Sequence, residues 1–201
     1  MTILSPSGRV GALLERRTAP LNDLADHATD VATTCHAMAS RFHRGGKLVV
    51  FGNGGPSTDA QHVAVEFVHP VIVGKRALPA ISLTSDVATL TGVANRAGLA
   101  ETFAHQITFL AEPADIAIGL STNGHCTNVL RGLAKARELG MLCVALVGGD
   151  GGAIAASGLA DHVLIAASSD PRVVKEVHVT MYHIIWELVH VFFEQPGVLD
   201  A

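Results

Sequence analysis

Val49-Val50-Phe51-Gly52-Asn53-Gly54-Gly55-Pro56-Ser57-Thr58-Asp59-Ala60-Gln61-His62 runs from an apolar strand through a glycine turn straight into a helix. The pattern returns in the second half, where Ile116-Ala117-Ile118-Gly119-Leu120 leads into Ser121-Thr122-Asn123-Gly124-His125 and a further helix. A helix N-terminus offers unpaired N–H groups and the positive end of a dipole, so both turns are suited to an anion. Small residues let the backbone approach, and hydroxyls add donors. Two such loops in one chain point to a small phosphorylated metabolite rather than a dinucleotide.

Strands and helices alternate outward from these loops. Residues 9–42 read as helical, with Pro20 dividing the stretch and Gly45-Gly46 ending it. Strands are expected at 47–51, 80–83, 115–120, 142–147 and 162–166. Helices are expected at 58–68, 87–95, 99–110, 127–139 and 153–158, and a long last one opens at Pro171 and reaches Glu194. This alternation predicts an α/β three-layer sandwich, a five-stranded parallel sheet flanked by helices. Ligands of such sheets bind beyond the carboxyl ends of the strands, where both glycine loops fall. No linker or repeat divides the chain, so residues 1–201 are expected to form one domain: an N-terminal helical segment, 1–45, and an α/β core, 46–195.

Composition narrows the partners. The 201 residues are 49% hydrophobic and 4% aromatic, with a net charge of −4 and no basic run, which argues against nucleic acid. Mean hydropathy is +0.38, yet no apolar run approaches bilayer length, so buried parallel strands and a buried subunit interface account for it and no membrane is expected. Cys35, Cys126 and Cys143 are isolated, as in a reduced compartment. With no charged segment leading into an apolar core at the N-terminus, a cytoplasmic location is expected.

Several segments together carry a resemblance. Phe51 to Gly55, Asp59 to His62 and Glu66-Phe67 form one; Leu78 to Thr84 and Leu90 to Asn95 form the next. Ser121-Thr122, Gly124 and Asn128 to Arg131 follow, and Asp150-Gly151-Gly152, Glu176-Val177-His178 and His183 complete the set. In order, from about residue 47 to 190, the chain resembles the SIS (sugar isomerase) family, in its sedoheptulose-7-phosphate (phosphoheptose) isomerase branch. The resemblance implies the SIS fold, aldose–ketose isomerisation of a phosphosugar, and a cytoplasmic homotetramer with N-terminal helices packed on partner subunits and sites at their interfaces. It makes Glu66 the base and His183 the acid. Asn53, Gly54, Gly55, Ser57, Ser121, Thr122, Asn123, Gly124 and Cys126 become phosphate or substrate contacts. His62, Glu66 and His183 become ligands to zinc, with Lys175 standing where the family has a glutamine ligand and grouped here with the substrate contacts.

The chain departs from the family at Pro56, Arg96, Asn123, Cys126, Arg172 and Lys175. These departures motivate a second reading, a non-catalytic SIS module that binds a phosphosugar or a protein partner, and a third, a metal-free isomerase with Lys175 in the metal's place. Bland alternatives also stand: a solvated helix face for His62 and Glu66, a core position for His183, and a surface position for Lys175. Tyr182 and Trp186 read as core or subunit contacts.

Overall fold

Five apolar segments become the strands β1 (Leu48–Gly52), β2 (Ala80–Ser82), β3 (Ile116–Ser121), β4 (Leu142–Gly148) and β5 (His162–Ala166) in the computed structural model, which describes residues 6–195 and 197–199. Residues 1–5 of the expected N-terminal segment, with 196, 200 and 201, lie outside the described residues. The strands pair in the order β2-β1-β3-β4-β5, all parallel. β1, β3 and β4 are buried throughout, as a parallel sheet covered on both faces requires.

Alternation along each strand divides the interior in two. Leu48, Val50, Ile118 and Val144 face a core shared with α2 (Ala28–His43), α3 (Gly55–Val68) and α8 (Pro171–Glu194). Val49, Phe51, Ala117 and Ala145 face the other core, built with α5 (Thr102–Leu110), α6 (Thr127–Glu138) and α7 (Gly152–Ala156). The fold is thus the expected three-layer arrangement, and α4 (Val87–Ala97) and the 3-10 turn Leu99–Glu101 connect β2 to α5.

Two differences from the sequence expectation have a clear physical cause. Pro20 does not divide the N-terminal helices; it lies buried inside α1 (Pro6–Asp26), and the break falls at His27. Burial of Pro20 and the pairing of Arg17 with Glu176 of α8, at 2.5 and 2.9 Å, hold α1 through the proline. Helix α3 starts three residues earlier than expected, because Pro56 sits in its first turn, where a missing N–H costs nothing.

Candidate functional site

Both glycine loops sit at the carboxyl ends of adjacent strands, β1 and β3. In the first, Gly54 has a φ of +63°, a left-handed conformation that suits glycine and turns the chain into α3. A Cβ on Gly52 would meet Pro56 Cβ at 2.8 Å and the Leu120 carbonyl oxygen at 2.9 Å. Pro56 is therefore a buried packing element between the two strand ends, and its substitution removes no group from the cavity beside the loop. That cavity, about 280 Å³, is lined by Asn53, Gly54 and Ser57, by Thr84, Thr91, Thr102 and Asn128, and by apolar Leu90, Leu99 and Phe103. Asn53 and Asn128 exchange amide hydrogen bonds of 2.7 and 2.9 Å, which tie the first loop to the helix that follows the second. The Ser57 hydroxyl donates to the Gly54 carbonyl at 2.6 Å.

The second loop is folded onto the glycine turn after β4. Ser121 Oγ accepts from the Gly124 N–H at 3.0 Å and approaches Cys126 Sγ at 3.4 Å, while the Gly124 carbonyl accepts from Ile154 N–H at 2.9 Å. Asn123 Oδ1 accepts from the His125 N–H at 3.1 Å. Cys126 occupies the N-cap of α6 without capping it through its side chain. Thr122, Asn123 and Cys126 keep surface exposure, whereas Ser121 and Gly124 are buried.

About two to three turns into α3, the structure brings His62 and Glu66 together with His183: one ligand atom from each lies within 4.8 Å of the others. His62 Nε2 is 3.1 Å from Glu66 Oε1, and the His62 and His183 rings meet edge-on with centroids 5.2 Å apart. Glu66 keeps 15% of its side-chain exposure, His62 keeps 42%, and His183 is exposed, so the group opens at the surface of a single chain. Two imidazoles and a carboxylate form a donor set that suits zinc. The trio does not line the first-loop cavity, because Ser57 and His62 point to different faces of α3, and Glu66 lies roughly 16 Å along the helix axis from Gly55.

Lys175 is not turned on the trio. Its ammonium is 2.5 Å from Asp59 Oδ1, 3.2 Å from Thr58 Oγ1 and 3.3 Å from the Gly55 carbonyl oxygen, at the start of α3. Asp59 is 3% exposed, so this pair neutralises a buried carboxylate as well as the lysine. Arg172 is likewise engaged, with Asp170 at 2.8 Å, and this pairing holds the Asp170 carboxyl down at about 2. Arg96 is exposed in the last turn of α4. The three cations are thus dispersed rather than focused on one point.

The core reading of Tyr182 holds, but sequence reasoning placed neither Tyr182 nor Asn128 at the site and did not show the Asp59–Lys175 pair. Asp59 carried a signal, since it precedes His62 by three positions and shares its helix face. Tyr182 is 2% exposed, its hydroxyl lies 2.8 Å from His62 Nδ1, and burial raises its pKa. The indole N–H of Trp186 donates to the Glu66 carbonyl at 2.9 Å. Asp59, His62 and Glu66 therefore meet Lys175, Tyr182 and Trp186 in order, so α3 and α8 run parallel along a polar seam. His178, buried beside this seam, has its pKa lowered by desolvation.

Residues 13–148 match the SIS domain family. The chain is 36% identical over 200 residues to a phosphoheptose isomerase of Desulfovibrio desulfuricans, covering 99% of this chain and 92% of that one. It is 40% identical over 170 residues to a phosphoheptose isomerase of Solidesulfovibrio magneticus, covering 84% and 82%. Among solved structures, a phosphoheptose isomerase from Francisella tularensis superimposes with a TM-score of 0.86 at 29% identity, covering 94% of this chain and all (100%) of that one.

Proposed function

We propose that this chain, which belongs to the SIS-domain family and to its phosphoheptose isomerase branch, is an aldose–ketose isomerase acting on sedoheptulose 7-phosphate or a close phosphosugar. The observation that carries the mechanism is the convergence of His62, Glu66 and His183 from two helices. Isomerisation moves one proton between neighbouring carbons and one between their oxygens. Glu66 removes the proton from the hydroxyl-bearing carbon beside the carbonyl, leaving an enediolate, and returns it to the former carbonyl carbon. His183, exposed at the mouth of the group, carries the proton between the two oxygens. His62, beside the Glu66 carboxylate, holds it in place.

His62, Glu66 and His183 would hold a zinc ion, which supplies Lewis-acid polarisation of the sugar carbonyl when bound. The engagement of Lys175 with Asp59 supports this reading, since the ammonium is neutralised at the start of α3 and is not set against the metal. We assign the phosphate to the loop residues Asn53, Gly54, Gly55, Ser57, Ser121, Thr122, Asn123, Gly124 and Cys126. The amide pair Asn53–Asn128 and the uncharged lining of the cavity suit the polyol. Lys175, which donates to the Gly55 carbonyl oxygen at 3.3 Å, is assigned to the substrate contacts through its hold on the first loop. Turnover of sedoheptulose 7-phosphate is expected to fall on dialysis against a chelator and to return with zinc. Saturable binding without turnover in any metal state would instead make the chain a binding module.

The same reading implies a cytoplasmic homotetramer. Val10, Leu13 and Leu14 of α1 are 55, 45 and 61% exposed, and Val73 in the loop after α3 is fully (100%) exposed, which supports apolar faces covered by partner copies. Separation of the trio from the loop cavity within one chain supports sites completed between copies. Light scattering is expected to give four times the 20.9 kDa chain mass, and a monomer would refute the assembly. Among the described residues no helix is long and apolar enough to cross a membrane.

A further inference from the structure

We propose that Tyr182 is a positioning residue for His62: its hydroxyl holds the imidazole in one orientation in whichever tautomer Glu66 or a bound cation imposes. Tyr182 is 2% exposed, and a phenol so enclosed needs a hydrogen-bond partner for its hydroxyl. That partner is His62 Nδ1, at 2.8 Å. The Tyr182 ring stands edge-on to both imidazoles, 5.3 Å from His62 and 5.0 Å from His183, so it forms the wall behind the pair. The Asp59–Lys175 contact on one side and the bond from Trp186 to the Glu66 carbonyl on the other fix the register of α3 against α8, and with it this pairing.

Proton accounting follows from the geometry. A neutral imidazole donates from one nitrogen and accepts at the other. His62 Nε2 faces the Glu66 carboxylate, which only accepts, at 3.1 Å. With nothing between them, Nε2 must carry the hydrogen, Nδ1 must accept, and Tyr182 must donate. When a cation occupies the trio, Nε2 needs its lone pair, the hydrogen moves to Nδ1, and the Tyr182 oxygen accepts it. A hydroxyl serves both arrangements by rotating its hydrogen, whereas a backbone carbonyl or an aliphatic side chain at that place would serve one or neither. Tyr182 therefore holds the ring in one orientation while His62 exchanges tautomers, a role in line with the outer partners that orient metal-bound imidazoles. The second arrangement rests on the metal reading given above; the first does not.

Nitrogen-15 NMR of histidine-labelled protein, with the imidazole neutral, separates the two. In metal-free protein His62 is expected as the Nε2–H tautomer, and added zinc is expected to convert it to Nδ1–H. Tyr182→Phe keeps the ring and removes the hydroxyl; it is expected to weaken zinc binding, measured by chelator competition, about 10- to 100-fold. An Nδ1–H tautomer in the metal-free wild type overturns the proposal, as does a Tyr182→Phe protein with unchanged zinc affinity. Failure of the wild type to bind zinc refutes the metal reading alone, because the metal-free tautomer still reports on Tyr182. If Tyr182→Phe does not fold, the wild-type spectra still decide.

Discussion

Glu66→Gln is expected to lower kcat on sedoheptulose 7-phosphate about 10³-fold, roughly 4 kcal/mol of transition-state stabilisation, while leaving the fold intact. The substitution keeps the side chain's shape and removes the carboxylate assigned to take the carbon-bound proton. It does not disturb the α3–α8 packing, since the Trp186 indole is bonded to the main-chain carbonyl of Glu66 and not to its carboxylate. Steady-state kinetics with circular dichroism checks both halves of the expectation. A variant that turns over within a few-fold of wild type would remove Glu66 from the proton transfer.

The second large effect is one of stability. Gly124→Ala is expected to cost about 2–5 kcal/mol, from two sources. Gly124 has a φ of +72°, where an L side chain costs about 1–2 kcal/mol. Its added Cβ would also overlap the Gly151 carbonyl oxygen, main chain that no rotamer change can move, and forced repacking of that kind costs about 1–3 kcal/mol more. For a chain of this size the melting temperature should fall by about 10 °C. Gly54→Ala is the control: φ is +63° there, but nothing lies within 4 Å of the new Cβ, so only the smaller conformational cost, about 1–2 kcal/mol, is expected. Equal losses in the two variants, read by thermal unfolding, would show that the second loop does not pack on the β4 turn as described.

These two residues mark what was legible in the sequence. The loops announced themselves, because an apolar strand, glycine and a helix must follow each other closely to make such a turn. β1, β3 and β4 read as continuous apolar runs for the same physical reason that they are buried on both faces. Glu66 and His183 came from resemblance, since spacing alone placed His62 and Glu66 on one face and said nothing of α8. The pairings across 116 to 120 residues, Lys175 with Asp59 and Tyr182 with His62, depend on the parallel register of α3 and α8, which no local pattern encodes. Lys175 read as a substrate contact because its partner Asp59, 116 residues away, was not visible as a partner. Pro20 misled for the opposite reason: a local helix-breaking rule was outweighed by packing and by the pairing of Arg17 with Glu176.

Proton nuclear magnetic resonance of sedoheptulose 7-phosphate incubated with the zinc-loaded enzyme in deuterium oxide tests the central claim most directly. Proton transfer through Glu66 predicts conversion to the aldose phosphate with solvent deuterium at the former carbonyl carbon, and no label with Glu66→Gln. Conversion without deuterium would contradict an exchanging base at Glu66, and an unchanged, unlabelled ketose would contradict isomerase activity itself.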